Sequence, residues 1–132
     1  MSLPRWDFFV DTGGTFTDCL ARSESGEFYR AKILSQGSLS AEVAGLEGRY
    51  QLTLSSDPDW PKCFVNGLRI TVSGHDSFHA RITSWEPDSL RLKVDKNLPD
   101  SITPGTTLKV DTPWEAPILG MKLIMARLGL SM

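Results

Sequence analysis

Residues 10–18, VDTGGTFTD, gather two aspartates, two glycines and three threonines into one short segment. Glycines let backbone N–H groups approach an anion without a Cβ in the way. Thr15 and Thr17 add hydroxyl donors, and Asp11 and Asp18 offer the hard oxygens that hold magnesium, directly or through its waters. The chemistry these types support is the binding of a phosphate group with its cation. The same letters also spell an ordinary hairpin turn, since Gly-Gly supplies the positive φ of a tight turn and short glycine motifs match by chance. Residue types alone do not separate these readings.

Either reading needs a strand on each side. Residues 6–10 are continuously apolar but for Asp7, fit for a strand buried on both faces. FTDCLAR returns as a second strand, SESGE turns, and FYRAKIL alternates well enough for a third. This predicts a three-stranded antiparallel meander with the candidate loop at its first turn. SQGSLSAEVAGLEG, rich in glycine and serine, reads as a linker or loop.

From residue 49 to 111 the pattern changes. RYQLTL, LRITV, FHARITSW, SLRLKVD and TTLKVD alternate with period two, broken by the turn signals DPDWP, NG, SGHD, EPDS and LPDSITPG. Leu90, Leu92 and Val94 would face inward with Arg91 and Lys93 outward; Phe78, Ala80 and Ile82 would do the same against His79, Arg81 and Thr83. Five short strands at close spacing predict a small antiparallel barrel or sandwich. Arg69, Arg81, Arg91 and Lys93 form either its solvated face or a docking surface. Trp60, Trp85 and Trp114 lie near turns and Trp6 opens a strand, positions read as edge packing.

Residues 112–132 switch to helix. Thr112 and Glu115 have the spacing of a capping box, Pro117 belongs in a first turn, and Gly129 is a natural stop. The helix is predicted to start at residues 114–116. Ile118, Leu119, Met121, Leu123, Ile124, Met125 and Leu128 leave almost no polar face, so such a helix needs partners on several sides. The expectation is a fragment of a longer protein. The resulting division is 1–48, 49–111 and 112–132.

The order of residues in VDTGGTFTD resembles the opening signature of the hydantoinase/5-oxoprolinase family. The likeness continues through CLARSESGEFYRAKILSQG and resumes at EAPILGMKLIMARLGL, similar to that family's first long helix. The resemblance implies that the three-stranded meander is that of an actin-like/ribonuclease H-like half-domain; with the β module inserted in it and one C-terminal helix, the expected chain is α+β, mostly β. It implies that residues 11–18 are a phosphate-binding loop for ATP. Gly13, Gly14 and Thr15 would offer donors to phosphates, and Asp11 would stand near magnesium. Thr17 and Asp18 would hold the loop or reach the metal, with Asp11 and Asp18 the metal residues. The implied reaction is ATP-driven opening of a cyclic amide by phosphorylation of its carbonyl oxygen. The implied partners are that substrate, the rest of a parent chain and a second subunit. Residues 49–110 interrupt the family pattern, and its later motifs are absent from this sequence, so the fragment alone is expected to be inactive.

Two rival classes remain. Asp11-Thr12-Gly13 after an apolar strand is how an aspartic protease presents its catalytic carboxylate, and ILGMKL resembles the element placed behind it. Two copies of Asp11 in a homodimer would then share a proton. Against it, Gly14 stands where such proteases prefer Ala or Ser. The second rival is a binding module whose working part is the β insert.

Bulk properties set outer limits. The 132 residues carry a net charge of −2, leaving no basic field for nucleic acid or an anionic membrane. MSLPRW lacks the pattern of a secretory leader, which makes the cytoplasm the default compartment. Cys19 and Cys63 are expected as free thiols. His75 and His79 stand four apart without a third ligand in view, and read as solvated histidines rather than a metal site.

Overall fold

A computed structural model describes residues 5–129; the leader comparison rests partly on residues 1–4, which lie outside that range, as do residues 130–132. The chain is mostly β, with a closed six-stranded antiparallel barrel and one C-terminal helix. It divides into two compact units: residues 1–38 with 113–132, and residues 39–112. The expected boundary at 48 therefore falls ten residues earlier, at 38, and the returning segment starts at 113.

In the first unit, β1 (Trp6–Thr12), β2 (Phe16–Ser23) and β3 (Phe28–Leu34) form the expected antiparallel meander. The register runs from Trp6 opposite Ser23 to Thr12 opposite Thr17, and from Phe16 opposite Leu34 to Arg22 opposite Phe28. Alternation sends Thr17, Cys19 and Ala21 of β2, with Ala31 and Ile33 of β3, to one buried face. Helix α1 (Ala116–Arg127) covers it with Ala116, Leu119, Gly120, Leu123 and Ile124. That spacing is one stripe of a helix. Leu119, Leu123 and Ile124 are each almost wholly buried, a gain of about 1.5–3 kcal/mol apiece.

Gly120 sets how closely the helix approaches. A Cβ there would overlap Cys19 Sγ, lie 2.8 Å from Cys19 Cβ, and stand 3.5 Å from Ile33 Cγ1. Cys19 Sγ faces the Pro117 carbonyl at 3.8 Å, and burial, with the Asp18 charge beside it, pushes its thiol above the ordinary range. Both cysteines are free, Cys19 buried and Cys63 exposed.

Three expectations are corrected here. β1 is not buried on both faces: Phe9 is 50% and Val10 42% exposed, because α1 packs on β2 and β3 and β1 pairs only with β2. The N-cap is not Thr112. Glu115 is itself the N-cap and makes no side-chain cap bond, since the helix begins at Ala116 and Thr112 lies outside it. The helix is not enclosed all round either, with Ile118 38% exposed. Pro117 in the first turn and Gly129 just past the end, at φ 73, are as expected.

The second unit is the barrel. Its strands are β4 (Ser38–Leu46, whose first residue belongs to the other unit), β5 (Gln51–Leu54), β6 (Arg69–Val72), β7 (His75–Glu86), β8 (Arg91–Val94) and β9 (Thr107–Asp111). Their order is β4-β5-β8-β7-β6-β9, and β9 pairs back to β4. Val43 N–H donates to Thr106 O and Gly105 N–H to Val43 O, both at 2.8 Å, closing the ring. Closure leaves no free strand edge within it. Register shifts at Val43/Gly45 and Ile82/Ser84 let the strands curve.

β4 is the segment expected to be a linker. Leu39 and Val43 of that segment are buried in the barrel, which gives six strands rather than five. Two tryptophans expected at edges are core residues. Trp60 is 3% and Trp85 1% exposed, their rings 5.5 Å apart, with Trp85 Nε1 donating to Trp60 O at 2.9 Å. Leu90 sits in a turn at φ 58 rather than in the strand, while Leu92 and Val94 point inward as expected. Of the exposed cations, Arg69 meets Asp111 at 3.6 Å, Arg91 meets Glu47 at 3.0 Å, and Arg81 donates to Gly67 O. Among the described residues no helix is long and apolar enough to cross a membrane.

Candidate functional site

Residues 13–15 connect β1 to β2 at one end of the meander. The last strand pair below them is Thr12 opposite Thr17, and below that Asp11 stands directly opposite Asp18. Opposed residues of an antiparallel pair share a face, so both aspartate side chains leave the hairpin on the same side. The same row continues to Lys32 of β3, opposite Asp18. Asp11 is exposed and Asp18 half-buried.

Gly13 and Gly14 were expected to adopt positive φ, and neither does. Close approach is the reason for Gly13: its N–H donates to Phe16 O at 2.9 Å, and a Cβ there would lie 3.0 Å from that oxygen. This bond commits one N–H that was expected to meet a phosphate. Gly14 differs, because a Cβ on it would meet nothing within 4 Å. The N–H groups of Gly14 and Thr15 donate to no protein acceptor among the described residues. The tip thus presents two uncommitted backbone donors in sequence and, beside them, the exposed Thr15 hydroxyl.

Thr17 has another role than that of a surface donor. It is completely buried, with Oγ1 3.0 Å from Ser35 Oγ. Ser35 Oγ donates onward to Gly13 O at 2.8 Å, and Ser35 N–H donates to Thr15 O at 2.8 Å. One residue after β3 therefore grips the loop at both of its ends. Sequence reasoning missed Ser35. Its only signal was a hydroxyl residue directly after the third strand, opposite where the loop must fall.

The donor set at Asp11 and Asp18 fits magnesium. Two adjacent carboxylates are hard oxygen ligands, and the exposure of Asp11 leaves room for the waters that magnesium retains. Like charges placed directly opposite also repel, a cost that a bound cation offsets. The other metal candidate is simpler. His75 Nε2 lies 2.8 Å from Ser101 Oγ and Nδ1 3.3 Å from Ser73 O, so both ring nitrogens have protein partners. Among the described residues no group of three or more His, Cys, Asp or Glu side chains converges as a metal site would require. Gly120, the glycine matched to an aspartic protease's second element, lies in helix α1 against Cys19 and Ile33.

No protein-family model, no curated protein and no solved structure matches this chain.

Proposed function

We propose that the chain is the N-terminal, phosphate-binding part of an ATP-dependent enzyme that opens a cyclic amide, of the hydantoinase/5-oxoprolinase kind. The observation that carries this reading is the loop tip: free Gly14 and Thr15 N–H groups, the Thr15 hydroxyl, and the Asp11–Asp18 pair one step behind. Together these are donors for a phosphate oxygen and oxygens for its cation, in the sequence order VDTGGTFTD that resembles the family's opening signature.

In this role Gly14 and Thr15 orient the phosphates and Asp11 with Asp18 holds magnesium through its waters. Thr17 and Ser35 keep the loop in shape before ligand arrives, which lowers the ordering cost of binding. The nucleotide supplies a phosphoryl group to the ring carbonyl oxygen and so opens a stable lactam to water. The protein's part is position and charge rather than nucleophilic attack. The substrate pocket and the remaining nucleotide contacts belong to the rest of the parent chain.

Amide NMR titration with magnesium-ATP tests this. Shifts should concentrate at Gly14 and Thr15, spare Gly13 by comparison, and disappear in Asp11→Ala. A well-dispersed spectrum in which the loop amides stay still at millimolar nucleotide would remove the reading.

A further inference from the structure

We infer that Lys32 is the cationic contact of this loop, a side chain that pairs with the phosphate group the loop holds. The inference rests on the reading of the loop as a phosphate site and adds the residue that supplies its positive charge.

Placement comes first. Lys32 is the third member of the row Asp11–Asp18–Lys32, so it stands on the same face of the meander as the two carboxylates. Its ammonium lies 4.6 Å from the centroid of the Phe16 ring. Phe16 is the residue immediately after the loop and is 41% exposed. A cation over a ring face is attracted to it while keeping its N–H donors available on the outer side. Phe16 thus holds the ammonium beside the loop rather than burying it.

Charge comes second. Two backbone N–H groups and a hydroxyl carry no net charge, and the carboxylates behind them repel an anion. A phosphate group bearing two or more negative charges needs a positive partner here besides magnesium. Lys32 is the cation that the strand register brings to this row, and it makes no ion pair among the described residues. Lysine suits the task because its ammonium acts as a compact point charge with rotatable donors. The ligand class that fits is a polyphosphate bound as its magnesium complex.

The alternative is that Lys32 only offsets the repulsion between Asp11 and Asp18. The two roles differ in what Lys32→Gln changes. As a phosphate contact, its loss weakens anion binding and leaves thermal stability close to that of the parent chain. As a charge-balancing residue, its loss lowers stability and leaves anion affinity alone.

The experiment is titration of the full chain with magnesium pyrophosphate and magnesium-ATP, read by the Gly14 and Thr15 amides, for the parent chain, Lys32→Gln and Lys32→Arg. Lys32→Gln should weaken binding roughly tenfold, as for loss of one charge-assisted contact, and Lys32→Arg should retain most of the affinity. Phe16→Leu keeps the charge and removes its ring support, so it should fall between them. Equal affinity for the parent chain and Lys32→Gln overturns the role of Lys32 while the phosphate loop stands. Absence of binding to the parent chain overturns both.

Discussion

Ser35 shows how a single hydroxyl sets the shape of the candidate loop. It donates to Gly13 O, meets Thr17 Oγ1, and through its backbone N–H fixes Thr15 O. Removing the hydroxyl leaves Thr17 with a buried oxygen and no partner for it. An unsatisfied buried polar group costs about 1–3 kcal/mol, whereas replacing both partners with apolar groups of similar shape is close to neutral. Ser35→Ala should therefore destabilise the chain by about 1–2 kcal/mol in a denaturant melt. Adding Thr17→Val to it should recover part of that loss. The same cycle read by loop amides should show Gly13 and Thr15 shifting in Ser35→Ala even without ligand. Strictly additive effects would mean that the two hydroxyls do not depend on each other. Nothing in the letters VDTGGTFTD points to Ser35, because the bond joins residues eighteen apart and exists only once the meander is folded.

At the scale of elements, helix α1 and the meander meet where neither side has room to spare. Alanine is a better helix former than glycine by about 1 kcal/mol, so Gly120→Ala would stabilise an isolated helix. Here its methyl would enter the space of Cys19, with Cys19 Cβ at 2.8 Å and that strand fixed by pairing on both sides. Overpacking a close contact costs about 1–3 kcal/mol, and we expect it to outweigh the propensity gain. Gly120→Ala should lower the melting temperature, and Cys19→Ala added to it should restore part of the loss by removing Sγ. A Gly120→Ala chain as stable as the parent would refute the close packing of helix on sheet. The helix itself was legible in the sequence, since its apolar spacing, Pro117 and Gly129 all survive into the structure. β4 was not. Its buried positions are Ser38, Leu39 and Val43, with Ala41 between Ser40 and Glu42 and Gly45 near its end. Such weak alternation becomes a strand only through β5 and β9, the second of which lies some sixty residues further along. The meander's outline, by contrast, follows from turn signals a few residues apart, as does the position of the candidate loop.

At the scale of the whole molecule, the barrel's stability depends on how its longest crossing is anchored. β5 ends at Leu54 and β6 begins at Arg69. Between them Asp59 and Cys63 take positive φ, at 62° and 70°, a backbone state that costs non-glycine residues about 1 kcal/mol each. Something must hold that path. Trp60 lies within it, buried against Trp85 of β7, and its carbonyl receives the Trp85 indole N–H. Trp85→Phe removes the donor, leaves that carbonyl unpaired and opens space in the core, so a loss of about 3 kcal/mol is expected. Trp60→Phe keeps the carbonyl and trims only the ring, so it should cost less. Denaturant midpoints give the order, and amide exchange gives the location. Protection should fall across β5 to β9 in Trp85→Phe, with residues 55–68 affected first. If Trp60→Phe proves as damaging as Trp85→Phe, the anchor is ring packing alone, and the indole hydrogen bond contributes nothing to holding the barrel's long crossing.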